Sequence, residues 1–426
     1  MKSIRFKLAT KKPIGYRFYM LFLSAGITFS AMATESQVEV ITLPDAVALT
    51  LTHHPDLKSM VLQERVMQGR IQQAGVGERP QIGLMIEDAM GTGEHSGFKS
   101  MQSTLTYSWL LQQQLIDSRV AAVTSESDKL LLEQQIKALD LSASVAKYFI
   151  GILVKQERRK LNLLAKQQAE DVVNAIATRV QAGKSSPIEL QLAKAELTRR
   201  ALNVEDIEHE LKANKYQLAS LWGLPTSQYQ FQGDLRSIPN VPSVDATLAQ
   251  LKQNPRLLQY TSAQRIAQSQ AELASVEAKP QWQFSAGLRR YEASDDFGIV
   301  AGVSIPFGGG DRNAGKIAAL KAQQAVLENE QMSLMQAMDA QLYVLLQEMA
   351  HSQHMIDTVQ SEIVPTLENA LTQSVSAFER GQLSYTQYSE VRRELLNAQN
   401  TLLDAYESLH LQHIEIQRLT GSSLTQ

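Results

Sequence analysis

The sequence predicts a mainly α-helical chain with a membrane β-barrel portion, built from two copies of one helix–strand–strand–long helix–long helix unit. Three observations lead to this fold class. Two segments match without gaps at a constant offset of 200 residues, four short segments alternate apolar with polar or small residues, and long proline-free stretches carry apolar residues at helical spacing. A period near 200 residues indicates a duplicated domain, because solenoid arrays repeat at about 20 to 50 residues.

The first 33 residues predict a secretory signal peptide, which leaves residues 34–426 as one domain. A basic start is followed by the apolar run Phe18–Phe29 and by Ala31-Met32-Ala33, which has the small-x-small pattern of a cleavage site. We therefore expect the mature chain to leave the cytoplasm. The chain has no cysteine, so neither a lipid on an N-terminal Cys nor a disulfide can form.

The charge of the predicted mature chain disfavours nucleic acid as a partner. Without the six cations of the signal, 35 Lys and Arg face 44 Asp and Glu, a net charge of −9. No catalytic triad, paired carboxylates in a plausible pocket or Cys/His cluster is recognisable. We therefore expect no enzymatic activity, no cofactor and no dedicated metal site.

The duplication is visible when the segment from His54 is compared with the segment from Asn254. Matched positions at the offset of 200 include Pro55 and Pro255, Leu57 and Leu257, Arg65 and Arg265, Gln68 and Gln268, Ala74 and Ala274, and Pro80-Gln81 and Pro280-Gln281. A second pair of segments, 183–223 and 381–421, aligns at an offset of 198. The two repeats are therefore predicted at about 43–226 and 243–423, and the first helix of each should end by Pro80 or Pro280.

Two predicted strands follow in each repeat, at 81–90 and 101–110 and at 282–289 and 299–305. Their apolar side chains are predicted to face a membrane: Leu105, Tyr107, Trp109, Trp282, Phe284, Leu288, Ile299, Val303 and Ile305. No apolar run of 18 residues follows the signal, so only a closed barrel could span lipid. Four strands cannot close a barrel alone, whereas three copies would supply 12.

Very long helices are predicted to complete each repeat. Residues 129–178 contain no proline, and about 50 residues of helix span roughly 75 Å. In the second repeat an apolar seam of spacing near 3.5 is predicted at Leu342, Leu345, Met349, Ile356, Val359 and Ile363. Gly183 and Gly381, each followed by serines, predict the turns of two helical hairpins through C-cap and N-cap chemistry.

These features resemble the TolC-like outer-membrane efflux family over nearly the whole mature chain. The most specific stretch is 365–407, where Phe378, Gly381 and Tyr385 match the family's pattern of Pro, aromatic-x-x-Gly and Tyr before an amphipathic helix. The segment from Gly287, with Pro306, a Gly run and Asp311-Arg312-Asn313, is similar to the cobalt-zinc-cadmium resistance branch. At the corresponding point of the first repeat, residues 110–119 contain no glycine.

The resemblance implies a homotrimer in the outer membrane of a Gram-negative envelope, with a 12-stranded barrel and an α-helical periplasmic tunnel. Its expected function is a passive exit duct for heavy-metal cations in a tripartite efflux system. The partners would be a periplasmic adaptor (membrane fusion protein), an inner-membrane resistance-nodulation-division pump and outer-membrane lipid. The adaptor is expected to contact the hairpin tips at Gly183, Lys184, Ser185, Gly381, Gln382 and Ser384.

Other functions stay open at this level. The duct could carry drugs or serve type I protein secretion, or the chain could be a periplasmic coiled-coil adaptor or structural protein without a barrel. The i, i+3 pairs His351/His354 and His410/His413 are predicted to lie at one height across the second hairpin. Such pairs can bind Zn²⁺, but these positions fall off the apolar seam, where histidine is ordinarily a solvated surface residue.

Overall fold

The computed structural model describes residues 39–223, 229–240, 242–309 and 311–422; the predicted signal peptide lies outside these ranges. The first repeat comprises β1 (Glu39–Ile41), α1 (Leu43–His53), α2 (Pro55–Ala74), β2 (Gln81–Glu87), β3 (Gln102–Leu111), α3 (Gln113–Gln181) and α4 (Pro187–Ser220). The second comprises β4 (Tyr229–Phe231), α5 (Val244–Leu251), α6 (Pro255–Glu277), β5 (Trp282–Tyr291), β6 (Asp296–Ser304), α7 (Ala314–Thr358), α8 (Val364–Glu379) and α9 (Tyr385–Thr420). The predicted helix–strand–strand–long helix–long helix order is confirmed in both repeats.

The predicted first helix, which ends by Pro80 or Pro280, is α2 or α6, and a shorter helix that was not predicted, α1 or α5, precedes it in each repeat. His54 and Asn254 separate the two helices with extended backbone, because a residue before proline is disfavoured in the α conformation. Asn254 caps α6 by accepting from the Arg256 N–H at 2.8 Å, and its amide donates to the Leu419 carbonyl at 2.7 Å. The hydrogen bonds of Asn254 therefore also connect the start of α6 to the end of α9.

Helix α3 is longer than predicted, beginning at Gln113 rather than near Lys129. Its 69 residues correspond to about 100 Å of helix. Strand β3 passes into α3 through Gln112 alone, whose side chain accepts from the Glu78 N–H and donates to the Glu78 carbonyl, both at 3.0 Å. The glycine-free stretch 110–119 thus forms a direct strand-to-helix junction.

The corresponding helix of the second repeat is divided by one π-helical turn. Residues Val359–Ile363 form this turn between α7 and α8, and it places Pro365 in the first turn of α8. Proline is tolerated there because its missing N–H is one of the unpaired donors of a helix start. In the predicted seam, Leu342, Met349, Ile356 and Val359 are buried, whereas Ile363 is exposed.

The four longer strands form an antiparallel sheet in the order β2-β3-β5-β6, so β3 and β5 join the two repeats and β2 and β6 lie at its edges. A separate parallel pair, β1 with β4, was not predicted. Ile305 lies one residue beyond the end of β6, which corrects its placement in that strand. None of the helices in the described ranges is both long enough and apolar enough to cross a membrane.

Candidate functional site: an apolar sheet face and two paired turns

Most apolar side chains of the four strands fall on one face of the sheet. Leu84, Leu105, Leu288 and Ile299 stand opposite one another across the four strands and form one row. Further rows towards the helices are Ile82, Tyr107, Ala286 and Ala301; Trp109, Phe284 and Val303; and Leu111 with Trp282, and the row at the loop end is Ile86, Ser103, Arg290 and Phe297. Eight of the nine predicted strand residues therefore share this face, and Ile305 follows it directly.

This apolar face is open along its whole extent. Leu288 is 58% exposed and Ile299 is 85% exposed, and no helix covers either of them among the described residues. Trp109 stacks on Phe284 at 5.9 Å between ring centroids, and Trp282 lies 6.3 Å from Phe284, so aromatic rings gather near the helical end of the sheet. A soluble monomer rarely exposes a continuous apolar face of this kind.

The opposite face of the sheet is mainly polar, although Met85, Leu110 and Val300 lie on it. Arg289 lies on it and donates to the Thr104 hydroxyl at 2.9 Å, to the Gln102 side-chain oxygen at 3.2 Å and to Glu87 at 3.0 Å. Ser108 pairs with Gln81 on one side and with Ser285 on the other. Because successive side chains of a strand point to opposite faces, the sheet has one mainly apolar and one mainly polar surface.

The two predicted hairpin turns have the expected cap chemistry. Gly183 and Gly381 adopt φ of +68° and +77°, the left-handed conformation that glycine accepts without a Cβ penalty. Ser186 caps α4 by accepting from the Ile188 N–H at 3.2 Å, and Ser384 caps α9 with a capping box that includes Gln387.

The two turns lie side by side and are joined by Arg179. Its guanidinium donates to the Phe378 carbonyl at 2.7 Å and to the Ser185 hydroxyl at 3.2 Å, and it lies 4.7 Å above the Phe378 ring. Phe378 stacks in turn on Tyr388 with 5.0 Å between centroids. Arg179 was not predicted, because a contact between residues 199 positions apart leaves no local signal.

The six predicted tip residues are therefore brought together on one end of the molecule. Gly183, Lys184, Gly381, Gln382 and Ser384 are exposed, and Ser185 is half-buried beneath Arg179. A Cβ at Gly183 would meet no atom within 4 Å, and one at Gly381 would meet only the Arg179 guanidinium at 3.7 Å. Both glycines thus border open space.

The histidine pairs lie at one height, as predicted, since the Ser352 hydroxyl donates to Gln412 at 3.0 Å across the hairpin. His351 and His354 are exposed, whereas His410 is half-buried and its Nε2 lies 2.8 Å from the Leu235 carbonyl. Among the described residues, no group of three or more His, Asp or Glu side chains is placed to hold a metal ion.

Comparison with known proteins connects this geometry to one family. The model of the family described as "Outer membrane efflux protein" matches residues 46–224, which is the first repeat. The resemblance to the outer-membrane efflux family is confirmed. The cobalt-zinc-cadmium resistance protein CzcC of Cupriavidus metallidurans is 24% identical over 388 residues, which cover 89% of this chain and 90% of the relative.

Solved structures of outer-membrane channels share the fold over nearly the whole chain. CusC superposes with a TM-score of 0.72 at 15% identity, covering 89% of this chain and 92% of CusC. VceC of Vibrio cholerae superposes with a TM-score of 0.70 at 17% identity, covering 90% of this chain and 96% of VceC. MtrE of Neisseria gonorrhoeae, solved in its open state, gives 0.70 at 14% identity with 90% of each chain covered. The predicted fold class is confirmed.

Proposed function

We propose that the protein is the outer-membrane channel subunit of a tripartite efflux system and acts, as a homotrimer, as a passive exit duct for heavy-metal cations. The observation that carries this proposal is the sheet with one fully open apolar face and one polar face. Lipid would cover the apolar face and a water-filled lumen would border the polar one, as in outer-membrane barrels.

The edges of the sheet support a trimer. Strands β2 and β6 each pair on one side only within the chain. Unpaired backbone N–H and C=O groups are not tolerated at a lipid-exposed edge, so each β6 requires the β2 of another copy. Three copies close a barrel of 12 strands, an even number typical of such barrels.

The long helices support a tunnel that crosses the periplasm. Helix α3 alone reaches about 100 Å, much further than a globular core requires. At its far end the paired turns at Gly183 and Gly381 expose polar backbone and side chains next to the Phe378–Tyr388 stack. We propose these turns as the contact surface for the periplasmic adaptor, through which an inner-membrane resistance-nodulation-division pump delivers its cargo.

The choice of heavy-metal cations as cargo rests on CzcC, whose name states cobalt, zinc and cadmium resistance. The acidic balance of the chain is compatible with cations in transit, since 44 Asp and Glu stand against 41 Lys and Arg over the full sequence. The work would be done by the pump, and the duct itself would catalyse no reaction.

Growth of a deletion strain tests the cargo. The strain, with a complemented control, is grown across Zn²⁺, Co²⁺, Cd²⁺ and Cu⁺ and across a panel of drugs. We expect metal sensitivity that the complementing copy reverses. Drug sensitivity without metal sensitivity would keep the duct and reject the metal cargo, and an unchanged strain would reject both.

The tip contact is tested by Gly381→Trp, which places a large ring in the open space at the turn. We expect efflux to be lost while the trimer still inserts. Gly381→Asn is the matched control, because asparagine tolerates positive φ and adds little bulk. Normal efflux in the tryptophan variant would reject the adaptor contact, and loss in both variants would assign the defect to backbone strain.

A further inference from the structure

We infer that each seam between protomers repeats the residue register of the internal seam between the two repeats, with Arg65 beside Glu328 of the partner subunit and Phe307 opposite Leu84 of the partner subunit. The internal seam consists of α3 against α6 and of β3 against β5. This inference rests on the proposed homotrimer and specifies its contacts.

The first helices of the two repeats differ in burial at matched positions. Val276 on α6 is 9% exposed, whereas its counterpart Val76, just beyond α2, is 56% exposed. Ser262 is 1% exposed, whereas its counterpart Leu62 is 57% exposed. Helix α6 is covered on two sides, by α3 and by α7, while α2 is covered by α3 and lacks the second neighbour.

The duplication identifies the missing neighbour. Helix α6 packs on α3 of the preceding repeat, so α2 requires the long helix of a preceding second repeat, which is α7 of another copy. Helix α7 correspondingly lacks a neighbour on the side of Glu328, where Met332, one turn further along, is 51% exposed. Leu62 and Val66 on α2 supply apolar side chains for this contact, and both are 57% exposed in the single chain.

One charged pair of the internal seam is kept in the proposed seam. Across the internal seam, Arg265 lies 3.6 Å from the Asp128 carboxylate. The offset of 200 also holds at the start of the long helices, where a Cβ at Gly77 would lie 3.0 Å from Ile116 and Glu277 pairs with Lys316 at 3.1 Å. At this offset Arg265 corresponds to Arg65 and Asp128 corresponds to Glu328, so the signs of both charges are kept. The other polar contacts of the internal seam, Arg256 with Asp140 and Gln259 with Glu133, have no counterpart of matching charge.

The sheet gives the strand register independently of the helices, at an offset of 198 between β3 and β6. Leu84 pairs with Leu105 in the first repeat as Phe284 pairs with Val303 in the second. Trp109 therefore corresponds to Phe307, a fully exposed side chain three residues past the end of β6.

Across the internal seam Trp109 stands opposite Phe284, whose counterpart in the first repeat is Leu84. Phe307 should therefore stand opposite Leu84 of the partner subunit, and Ile305 opposite Ile86 of the partner subunit. Pairing with β2 of the partner subunit would extend β6 through Ile305 and Phe307.

Cross-linking in the full-length protein tests the register without background, because the chain has no cysteine. Arg65→Cys with Glu328→Cys is treated in outer membranes with a short bis-maleimide and should give covalent trimers. Asp128→Cys with Arg265→Cys calibrates the reagent on the internal seam and should give a cross-linked monomer. Arg65→Cys with Ala314→Cys is the off-register control, since Ala314 lies about 21 Å along α7 from Glu328.

The strand register has its own readout. Phe307→Cys with Leu84→Cys should form an intermolecular disulfide on oxidation, because directly opposed Cβ atoms in a sheet lie about 5 Å apart. Phe307→Cys with Met85→Cys should not, because Met85 points to the other face.

Three outcomes are decisive. Covalent trimers in the in-register pairs alone support the inference. If the protein is a trimer by mass in detergent and the internal pair links, but neither in-register pair does, the register is overturned and the proposed function stands. Monomers in the unmodified protein would overturn both.

Discussion

Leu288→Arg places a charge near the middle of β5, in the row that Leu105 and Ile299 complete on the apolar face. An arginine facing lipid near the bilayer midplane costs about 2–4 kcal/mol, which corresponds to an approximately 30- to 1,000-fold lower insertion equilibrium per protomer. A trimer carries the substitution three times, so the total cost reaches roughly 6–12 kcal/mol. We expect the variant to be nearly absent from outer-membrane fractions washed with urea.

The control is Ser108→Arg, which lies three residues along β3 from the row of Leu288 and on the polar face, between Gln81 and Ser285. We expect this variant to insert as the unmodified protein does, because its side chain can reach water. Equal amounts of washed, membrane-embedded protein for the two arginine variants would refute the assignment of the apolar face to lipid. Loss of Ser108→Arg alone would reverse the two faces.

Further predictions concern the helical part of the molecule. Arg179→Ala removes the hydrogen bond to Phe378 that joins the turns and a second one to Ser185 within its own turn, at a cost of about 1.5–3 kcal/mol, and should speed proteolysis at the tips where Lys184→Ala does not. Burial, and secondarily the charge of His410, lowers the pKa of His413, so its neutral form is favoured in the fold; this stability is present above the ordinary pKa of 6.5 and is lost as the pH falls through it. His413→Asn should therefore show a smaller fall in Tm between pH 7.5 and 5.5, and an unchanged fall would contradict this. Burial raises the pKa of Glu415, but hydrogen bonds from Lys147 and Arg418 outweigh that effect and hold it below its ordinary 4.5, so its stabilisation is present above that pH and is lost on further acidification. Glu415→Gln should lower Tm at pH 7 and leave it unchanged at pH 3, whereas equal losses at both pH values would assign the effect to packing.

The sequence predicts the fold well because each element leaves a local periodic signal. The strands at 81–87 and 282–291 follow from alternation, and the turns at Gly183 and Gly381 follow from cap residues. Helix α3 begins about 16 residues before the predicted stretch 129–178, at a junction where Gln112, hydrogen-bonded to Glu78, stands in place of the usual glycine or proline break.

Contacts between distant segments were not predictable in the same way. The junction of the two turns depends on Arg179 reaching Phe378 in the other repeat, and neither residue type signals that pairing. The β1–β4 pair has three residues on each strand, too few for an alternation pattern to emerge. The tip residues themselves were predicted through family resemblance, and the structure brings the two turns side by side.

The two repeats differ where a strand passes into a long helix, and the proposed trimer gives this difference a physical reason. Strand β3 has both of its neighbours, β2 and β5, in its own chain, and it enters α3 through the single residue Gln112. Strand β6 has only β5 in its own chain, and the residues after it reach α7 through Gly308 and Gly309, which adopt φ of +89° and +83°. A segment that must pair with a strand of another copy cannot be fixed by contacts within its own chain before assembly. Glycines at this junction allow Ile305 and Phe307 to take up the strand register when the partner's β2 arrives, whereas the direct junction of β3 suits a strand that is complete from the start.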